Sequence, residues 1–368
     1  MTRTHLPTVI TDTERIIVTE GTLLVTGGAG FIGSNFVHHA IALDLSVITL
    51  DALTYAGNRA NLAPVMDDAR HTFIEGSIAD QSKVTRIIAE HRPSAIVNFA
   101  AESHVDRSID GPAAFIQSNI VGVFVLLEAA RNYLNTAQDS DRDAFRFLHV
   151  STDEVYGSIE NDAATENSPY APSSPYAASK ASADHLVRAW NHTYGLPTLI
   201  TNCSNNYGPY QFPEKLIPLM IAKALRSESL PIYGDGRQER DWLHVLDHCR
   251  ALTAVLDHGR PGETYNIASG ETRSNRDVVE DICRIMDRLS PRSDRSRHAA
   301  HIQSVEDRPG HDRRYALSAA KLEADLKWCP EMDFSRGLEE TIVWYLDNRD
   351  WVDAVQPPYA GERLGRAD

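Results

Sequence analysis

Thr22-Leu23-Leu24-Val25-Thr26-Gly27-Gly28-Ala29-Gly30-Phe31-Ile32-Gly33 runs from a short apolar segment through a glycine-rich turn. The first five residues read as a buried strand, and the residues after Gly30 read as a helix to about Leu43. Gly27, Gly30 and Gly33 are spaced three apart. Small residues there let the backbone approach a pyrophosphate. The helix N-terminus behind them offers free N–H groups and the positive end of a dipole. A glycine pattern alone is a weak signal, but in a strand–turn–helix context it marks a dinucleotide site.

Working outward, a second strand is expected at 46–50, ending in Asp51, 24 residues after Gly27. That is where an acid reads the adenosine ribose, and an acid there favours NAD over NADP, whose 2′-phosphate it would repel. A loop with Leu53 and Thr54 follows. A third strand is expected at 72–75, a helix at 83–91 and a fourth strand at 95–99. Small residues Ala100 and Ala101 at that strand end let a cofactor lie against the backbone. A helix at 119–134 is apolar on several sides, which predicts burial and a candidate subunit interface. Further strands are expected at 146–150 and 198–201, around a helix at 174–194. This alternation predicts an α/β fold, a doubly wound parallel Rossmann sheet with a smaller α/β substrate-binding domain. The expected divisions are an extension at 1–20, the dinucleotide-binding domain at 21–204, a mainly substrate-binding domain at 205–355 and a tail at 356–368. Some segments of the second half are allowed to return to the first domain.

The fifth strand leads into Ser151-Thr152-Asp153-Glu154-Val155-Tyr156-Gly157, followed by Tyr176 and Lys180. A strand end in an open α/β sheet places such side chains at the edge where ligands bind. Two carboxyls in different surroundings can serve as one acid and one base. Tyr176 and Lys180 share a helix face. An ammonium beside a phenol is expected to lower its pKa from about 10 and make it a usable base. Taken singly, a Thr-Asp-Glu run is usually a turn or cap, and a Tyr/Lys pair a surface contact. The surrounding pattern is what gives them chemistry.

Composition bounds the rest. A chain of 368 residues suffices for a large core and two domains. A net charge of −15 argues against nucleic-acid or anionic-membrane partners. No apolar run is expected to approach the roughly 20 residues that span a bilayer. Residues 1–20 lack the apolar region of a secretory signal. The cysteines, Cys203, Cys249, Cys283 and Cys329, are scattered and read as reduced thiols of a cytoplasmic protein. The histidines lack a convincing ligand set, so no metal is expected.

With TGGAGFIG, Asp51, STDEVYG and Tyr176-x-x-x-Lys180 in this order, the chain resembles the extended short-chain dehydrogenase/reductase superfamily. Within it the chain is similar to the dTDP-glucose 4,6-dehydratases, over about Thr22 to Val355. The motifs DALTYAGN, AAESHVDRSI, SPYAASKA, NCSNNYGPYQFPEKLIP, LPIYGDG, RDWLHV and DRPGHDRRYA carry the likeness. The 4-epimerases of the superfamily lack the Asp-Glu pair, so its presence favours dehydration.

The resemblance implies a chemistry and a residue set. Tyr176, with Lys180 beside it and Thr152 bonded near the same oxygen, takes the sugar 4-hydroxyl proton as hydride leaves C4 for NAD. Glu154 then removes the C5 proton, Asp153 protonates the departing 6-hydroxyl, and hydride returns to C6. For the cofactor it implies Gly27, Gly30, Phe31, Ile32, Gly33, Asp51, Leu53, Thr54, Ser77, Ile78, Phe99, Ala100, Ala101, Ser103, Ser118, Tyr176, Lys180 and Asn206. For the nucleotide sugar it implies Ser103, Thr152, Asn205, Lys215, Leu216, Pro231, Ile232, Tyr233, Arg240, Asn275, Arg308 and His311. The LPIYG stretch would receive the pyrimidine, and Arg240 and Arg308 the diphosphate. A homodimer is implied as well. One departure stands out: Ser77 occupies the place of the family's usual aspartate, which accepts from the adenine amino group. Alternatives are the same dehydration on UDP-glucose, a sister epimerase or decarboxylase, and a catalytically silent nucleotide-binding scaffold.

Overall fold

A computed structural model of the chain describes residues 21–307 and 311–355. The extension, the tail and Arg308 lie outside the described residues. In chain order the strands are β1 (Thr22–Thr26), β2 (Ser46–Asp51), β3 (His71–Glu75), β4 (Ala95–Asn98), β5 (Arg146–Thr152) and β6 (Thr198–Cys203). They continue with β7 (Asn205–Tyr207), β8 (Leu230–Tyr233), β9 (Glu239–His244), β10 (Thr264–Ile267), β11 (Thr272–Ser274) and β12 (Ile302–Val305). Among the described residues, seven strands form one sheet in the order β10-β6-β5-β4-β1-β2-β3. Every pairing in it is parallel.

Helices cover both faces of this sheet, so its strands are apolar on both sides. Leu23 and Val25 join Phe36, Val37 and Leu252 in one core layer, while Leu24, Ile96 and Phe147 join Leu126 and Val187 in the other. From β1 the chain builds outward to β2 and β3, then crosses back to β4, β5 and β6. That reversal opens a crevice at the carboxyl ends of β1 and β4, the place where such sheets bind ligands.

The second half both returns to this sheet and builds a core of its own. β10 pairs with β6 and extends the sheet, and Val255 of the helix Val245–His258 sits in the first core layer. Tyr207, Ile217, Met220, Ile232, Val279, Leu338 and Tyr345 form a separate core. Two small sheets, β11-β9-β7 and β12-β8, flank it.

One expectation is corrected. Within the 24-residue helical run Pro112–Asn135, an 18-residue stretch has a mean hydropathy of 1.7, apolar enough by composition to cross a bilayer. Half of it is buried within the protein. Val123, Leu126, Leu127 and Ala130 pack with Ile87, Ile88, Ala183 and Val187, so the apolar composition serves a core helix. The run extends N-terminally of the expected helix because it widens into a π-helical turn at Ile116–Gly122 rather than stopping there.

Candidate active site

The glycine turn is shaped by close backbone approach. Gly27 has φ of +70°, and a Cβ there would lie 2.6 Å from the Ala100 nitrogen at the end of β4. A Cβ on Gly33 would collide with the Gly27 carbonyl, whereas one on Gly30 would meet that oxygen at 3.3 Å, tight but short of a collision. The turn is therefore pinned from within while its mouth stays open. No side chain caps the helix Phe31–Ala42, which leaves its first N–H groups for an anion. Asp51 is buried at the end of β2, its carboxylate accepting from the Ala29 N–H at 2.9 Å and the Leu53 N–H at 2.8 Å. Burial pushes its carboxyl up against the pull of those two donors. Phe31, Ile32, Leu53, Phe99, Ala100 and Ala101 are half-buried around the same crevice. An open helix terminus, a tight glycine turn and a strand-end carboxylate together fit a dinucleotide.

Other expected cofactor residues are placed differently. Ser77 and Thr54 are exposed, and Ser118 is half-buried on the π-helical turn. The Ser77 hydroxyl accepts from the Ala79 N–H at 3.1 Å, while Asp80 is engaged in capping the Lys83 N–H. Ile78 is buried beneath Gly122, so its side chain belongs to the core. The Asn206 amide donates to the Ser204 carbonyl, and its oxygen meets His248 Nδ1 at 2.9 Å. Both ends are thus held by the protein itself. If Ser77 limits adenine affinity, Ser77→Asp is expected to tighten NAD binding by roughly threefold to tenfold, as an ionised acceptor replaces a neutral one. Titration calorimetry checks this, and an unchanged affinity rejects the adenine role.

The catalytic candidates converge at the carboxyl end of β5. The strand runs two residues beyond expectation, because Ser151 and Thr152 pair with Asn202 and Cys203 of β6. Asp153 and Glu154 then open a 3-10 turn, Asp153–Tyr156. Thr152 Oγ1 donates to Asp153 Oδ1 at 3.2 Å and accepts from the Glu154 N–H at 3.3 Å. Burial, reinforced by the Glu154 carboxylate, pushes Asp153 up to about 8, against the pull of Arg240 and the Thr152 hydroxyl. Its Oδ2 is buried without a hydrogen-bond partner, as suits a carboxyl that carries a proton.

Tyr176 and Lys180 lie on the helix Pro175–Tyr194, whose start is fixed by Ser174 Oγ accepting from the Ala177 N–H at 3.1 Å. Both are buried. The expectation that Lys180 lowers the phenol is overturned for the protein by itself. Burial and the Glu154 and Asp153 carboxylates hold Tyr176 well above an ordinary phenol, and the Thr152 hydroxyl opposes them. The Lys180 ammonium instead donates to the Val150 carbonyl at 2.8 Å and lies 3.4 Å from His149 Nε2. Burial lowers it to about 8, with Asp184 opposing.

The expected sugar-nucleotide residues come from the second half and the β4 loop. Lys215 precedes the helix Leu216–Leu225, and its ammonium donates to the Ser103 carbonyl at 3.3 Å. Asn205 begins β7, with its Oδ1 buried and unpartnered. On β8, Pro231 and Tyr233 face outward while the Ile232 side chain alternates into the core. Tyr233 and His311 meet edge to face at 6.2 Å, and His311 Nδ1 is 2.7 Å from Asp307. Arg240 is buried and lies over the Tyr315 ring, bonded to the carbonyls of Glu239 and Asp312 at 2.7 and 2.9 Å. Asn275 opens the helix Asn275–Leu289.

Buried residues beneath the site were not singled out by the sequence. Asp184 accepts from Ser151 Oγ at 3.0 Å and Tyr170 OH at 2.8 Å, and lies 3.5 Å from His149. His149 in turn meets Asn98 Nδ2 at 3.0 Å. Asp184 continues the Tyr176–Lys180 helix face by four residues, which was a readable signal. His149 sits mid-strand, where nothing local distinguishes it from a packing residue.

Comparison with known proteins accords with this arrangement. A family model described as GDP-mannose 4,6 dehydratase matches residues 24–341. A dTDP-glucose 4,6-dehydratase of Xanthomonas campestris pv. campestris is 58% identical over 346 residues, covering 94% of this chain and 99% of the relative. The chain belongs to the dTDP-glucose 4,6-dehydratase family. An Escherichia coli K12 member is 55% identical over 345 residues, covering 91% of this chain and 95% of that one. A Streptomyces venezuelae member, solved with NAD bound, superposes with a TM-score of 0.83 at 47% identity, over 91% of this chain and 99% of that one. A Thermus thermophilus UDP-glucose 4-epimerase, also solved with NAD, gives 0.78 at 29% identity over 89% and 99%. The dehydratases and the epimerase thus share a fold.

Proposed function

We propose that the protein converts dTDP-glucose to dTDP-4-keto-6-deoxyglucose, using NAD that it regenerates within each turnover. The observation that carries this reading is the unlike carboxyl pair. Asp153 is buried and pushed up to about 8, while Glu154 beside it is only half-buried. A protonated acid next to a carboxylate is what removal of water across C5–C6 requires. An epimerase needs neither.

The turn Gly27–Gly33, Asp51 and the crevice beside Ala100 hold the dinucleotide. NAD, when bound, would supply a two-electron acceptor for C4 and donor for C6. Tyr176 takes the 4-hydroxyl proton, and Thr152, bonded between Asp153 and Glu154, steadies that oxygen. Lys180, anchored to the Val150 carbonyl, keeps a positive charge in the same pocket. With C4 a ketone, the C5 proton becomes acidic enough for Glu154. Asp153 then gives its proton to the 6-hydroxyl, which leaves as water. Lys215, Arg240 and Tyr233 supply charge and a ring face for the nucleoside diphosphate.

A homodimer is proposed from the apolar side chains left exposed beside the core helix. Ile109, Ile116, Phe124 and Tyr194 are each between 44% and 48% exposed on neighbouring helices, a cluster that suits a copy of the same surface. A reducing, cytoplasmic setting is proposed from four cysteines that all remain free thiols.

The deciding experiment is incubation with dTDP-glucose and, separately, UDP-glucose without added reductant. Loss of one water by mass spectrometry and a new C6 methyl by NMR with dTDP-glucose alone are the expected result. Loss with UDP-glucose alone would reassign the base, and none with either would defeat the reading. The raised Asp153 also sets a pH dependence. Its acid form is populated below about 8, so the water-loss rate is expected to fall as pH rises through that value. A water-loss rate flat to pH of about 10, well past that titration, would remove Asp153 as the acid.

A further inference from the structure

Glu214 lies where three segments meet. Its Oε1 accepts from the Tyr55 hydroxyl at 3.3 Å, and its Oε2 lies 3.6 Å from His104 Nε2. The Lys215 ammonium stands 4.0 Å from the same carboxylate and donates to the Ser103 carbonyl at 3.3 Å. The Tyr55 hydroxyl is also 3.5 Å from Ser103 Oγ. The Arg107 guanidinium covers the Tyr55 ring at 4.1 Å, and Phe212 meets that ring edge-on at 6.2 Å. The Glu214 side chain is only 2% exposed. Burying a carboxylate is expensive unless it is paired, so such a group is kept where its partners must stay together. Burial raises its carboxyl, and Lys215, the Tyr55 hydroxyl and Arg107 draw it back.

The partners come from separate parts of the fold. Tyr55 follows Asp51 in the loop after β2, and Ser103, His104 and Arg107 follow β4. These two loops frame the dinucleotide crevice. Glu214 itself precedes Lys215 and the helix Leu216–Leu225 on the nucleotide-sugar side. We propose that Glu214 is a positioning residue that latches the two crevice loops to the segment 212–216, so that Lys215 and the helix start are held facing the nucleotide sugar. The identity of that ligand rests on the dehydratase reading, whereas the latch itself does not.

The test uses the NAD-loaded full chain. Glu214→Ala is expected to raise KM for dTDP-glucose and the Kd for free dTDP about tenfold, with kcat within about threefold, as befits a lost buried polar contact that orders a binding segment. Glu214→Gln keeps the acceptor for Tyr55 but not the charge facing His104, and should fall between. Adding Tyr55→Phe to Glu214→Ala should cost little further, because the Tyr55 hydroxyl has then already lost Glu214 and keeps only its 3.5 Å contact with Ser103 Oγ. Unchanged KM and dTDP affinity in folded Glu214→Ala, a loss confined to kcat, or additive losses in the double variant would each overturn the latch. If Glu214→Ala fails to fold, Tyr55→Phe alone must raise the dTDP Kd about threefold, and no change rejects the proposal. If the wild type neither turns over dTDP-glucose nor binds dTDP, the dehydratase reading fails. NAD retention after dilution then decides the latch. Faster loss from Glu214→Ala, or from Tyr55→Phe if that variant stands in, upholds it, and equal retention rejects it.

Discussion

Tyr176→Phe is expected to lower turnover of dTDP-glucose by about 10³-fold, within the range for removing a general base, while nucleotide-sugar affinity stays within about threefold. The phenol is buried against Thr152 and the two carboxylates, and phenylalanine fills the same space, so packing with Phe115 is preserved. What disappears is the phenolic oxygen assigned to receive the 4-hydroxyl proton. The step lost is the first, and a single-turnover experiment should show no reduced-nicotinamide absorbance. Normal formation of that absorbance would remove Tyr176 from the role. Survival of wild-type turnover would leave the phenol a purely structural part of the site.

Glu154→Gln is expected to separate the two halves of the reaction. Oxidation at C4 should proceed, and water loss should slow by about 10²–10³-fold, because a neutral amide cannot take the C5 proton. Reduced-nicotinamide absorbance should then build up and persist when substrate is added. The change is nearly isosteric, and the Glu154 backbone N–H would still be held by Thr152 Oγ1. Removing the Glu154 charge also relieves one of the groups that raise Asp153, so any residual rate should show its fall at lower pH than in the wild type. Formation of product at the wild-type rate would assign the C5 proton to another group.

Much of this site was readable along the chain because its parts are local. The glycine turn, the Asp51 strand end and the Thr-Asp-Glu run each require neighbours in sequence, and the Tyr176–Lys180 pair needs only a helix period. Errors arose where the answer depends on what lies across the site. The phenol was expected to be lowered by Lys180, yet burial and Glu154 act on it more strongly, and the ammonium is turned toward Val150 and His149. The stretch LPIYG was expected to receive the pyrimidine, and only strand alternation at β8 shows that within it the Ile232 side chain turns into the second core. The helix Pro112–Asn135 was read as shorter, because nothing local marks a π-helical turn as a continuation.

The sequence by itself determined the alternating strand–helix order, the glycine-rich turn and the adjacent carboxyls after β5, since periodicity and turn chemistry are properties of adjacent residues. Only the tertiary structure decided that Asp153 is held up to about 8, that β10 returns to the first sheet, that Asp184 and His149 stand beneath the site, and that Glu214 joins the loops around it. Burial and long-range pairing set those features. Both are sums over residues that meet from distant parts of the chain.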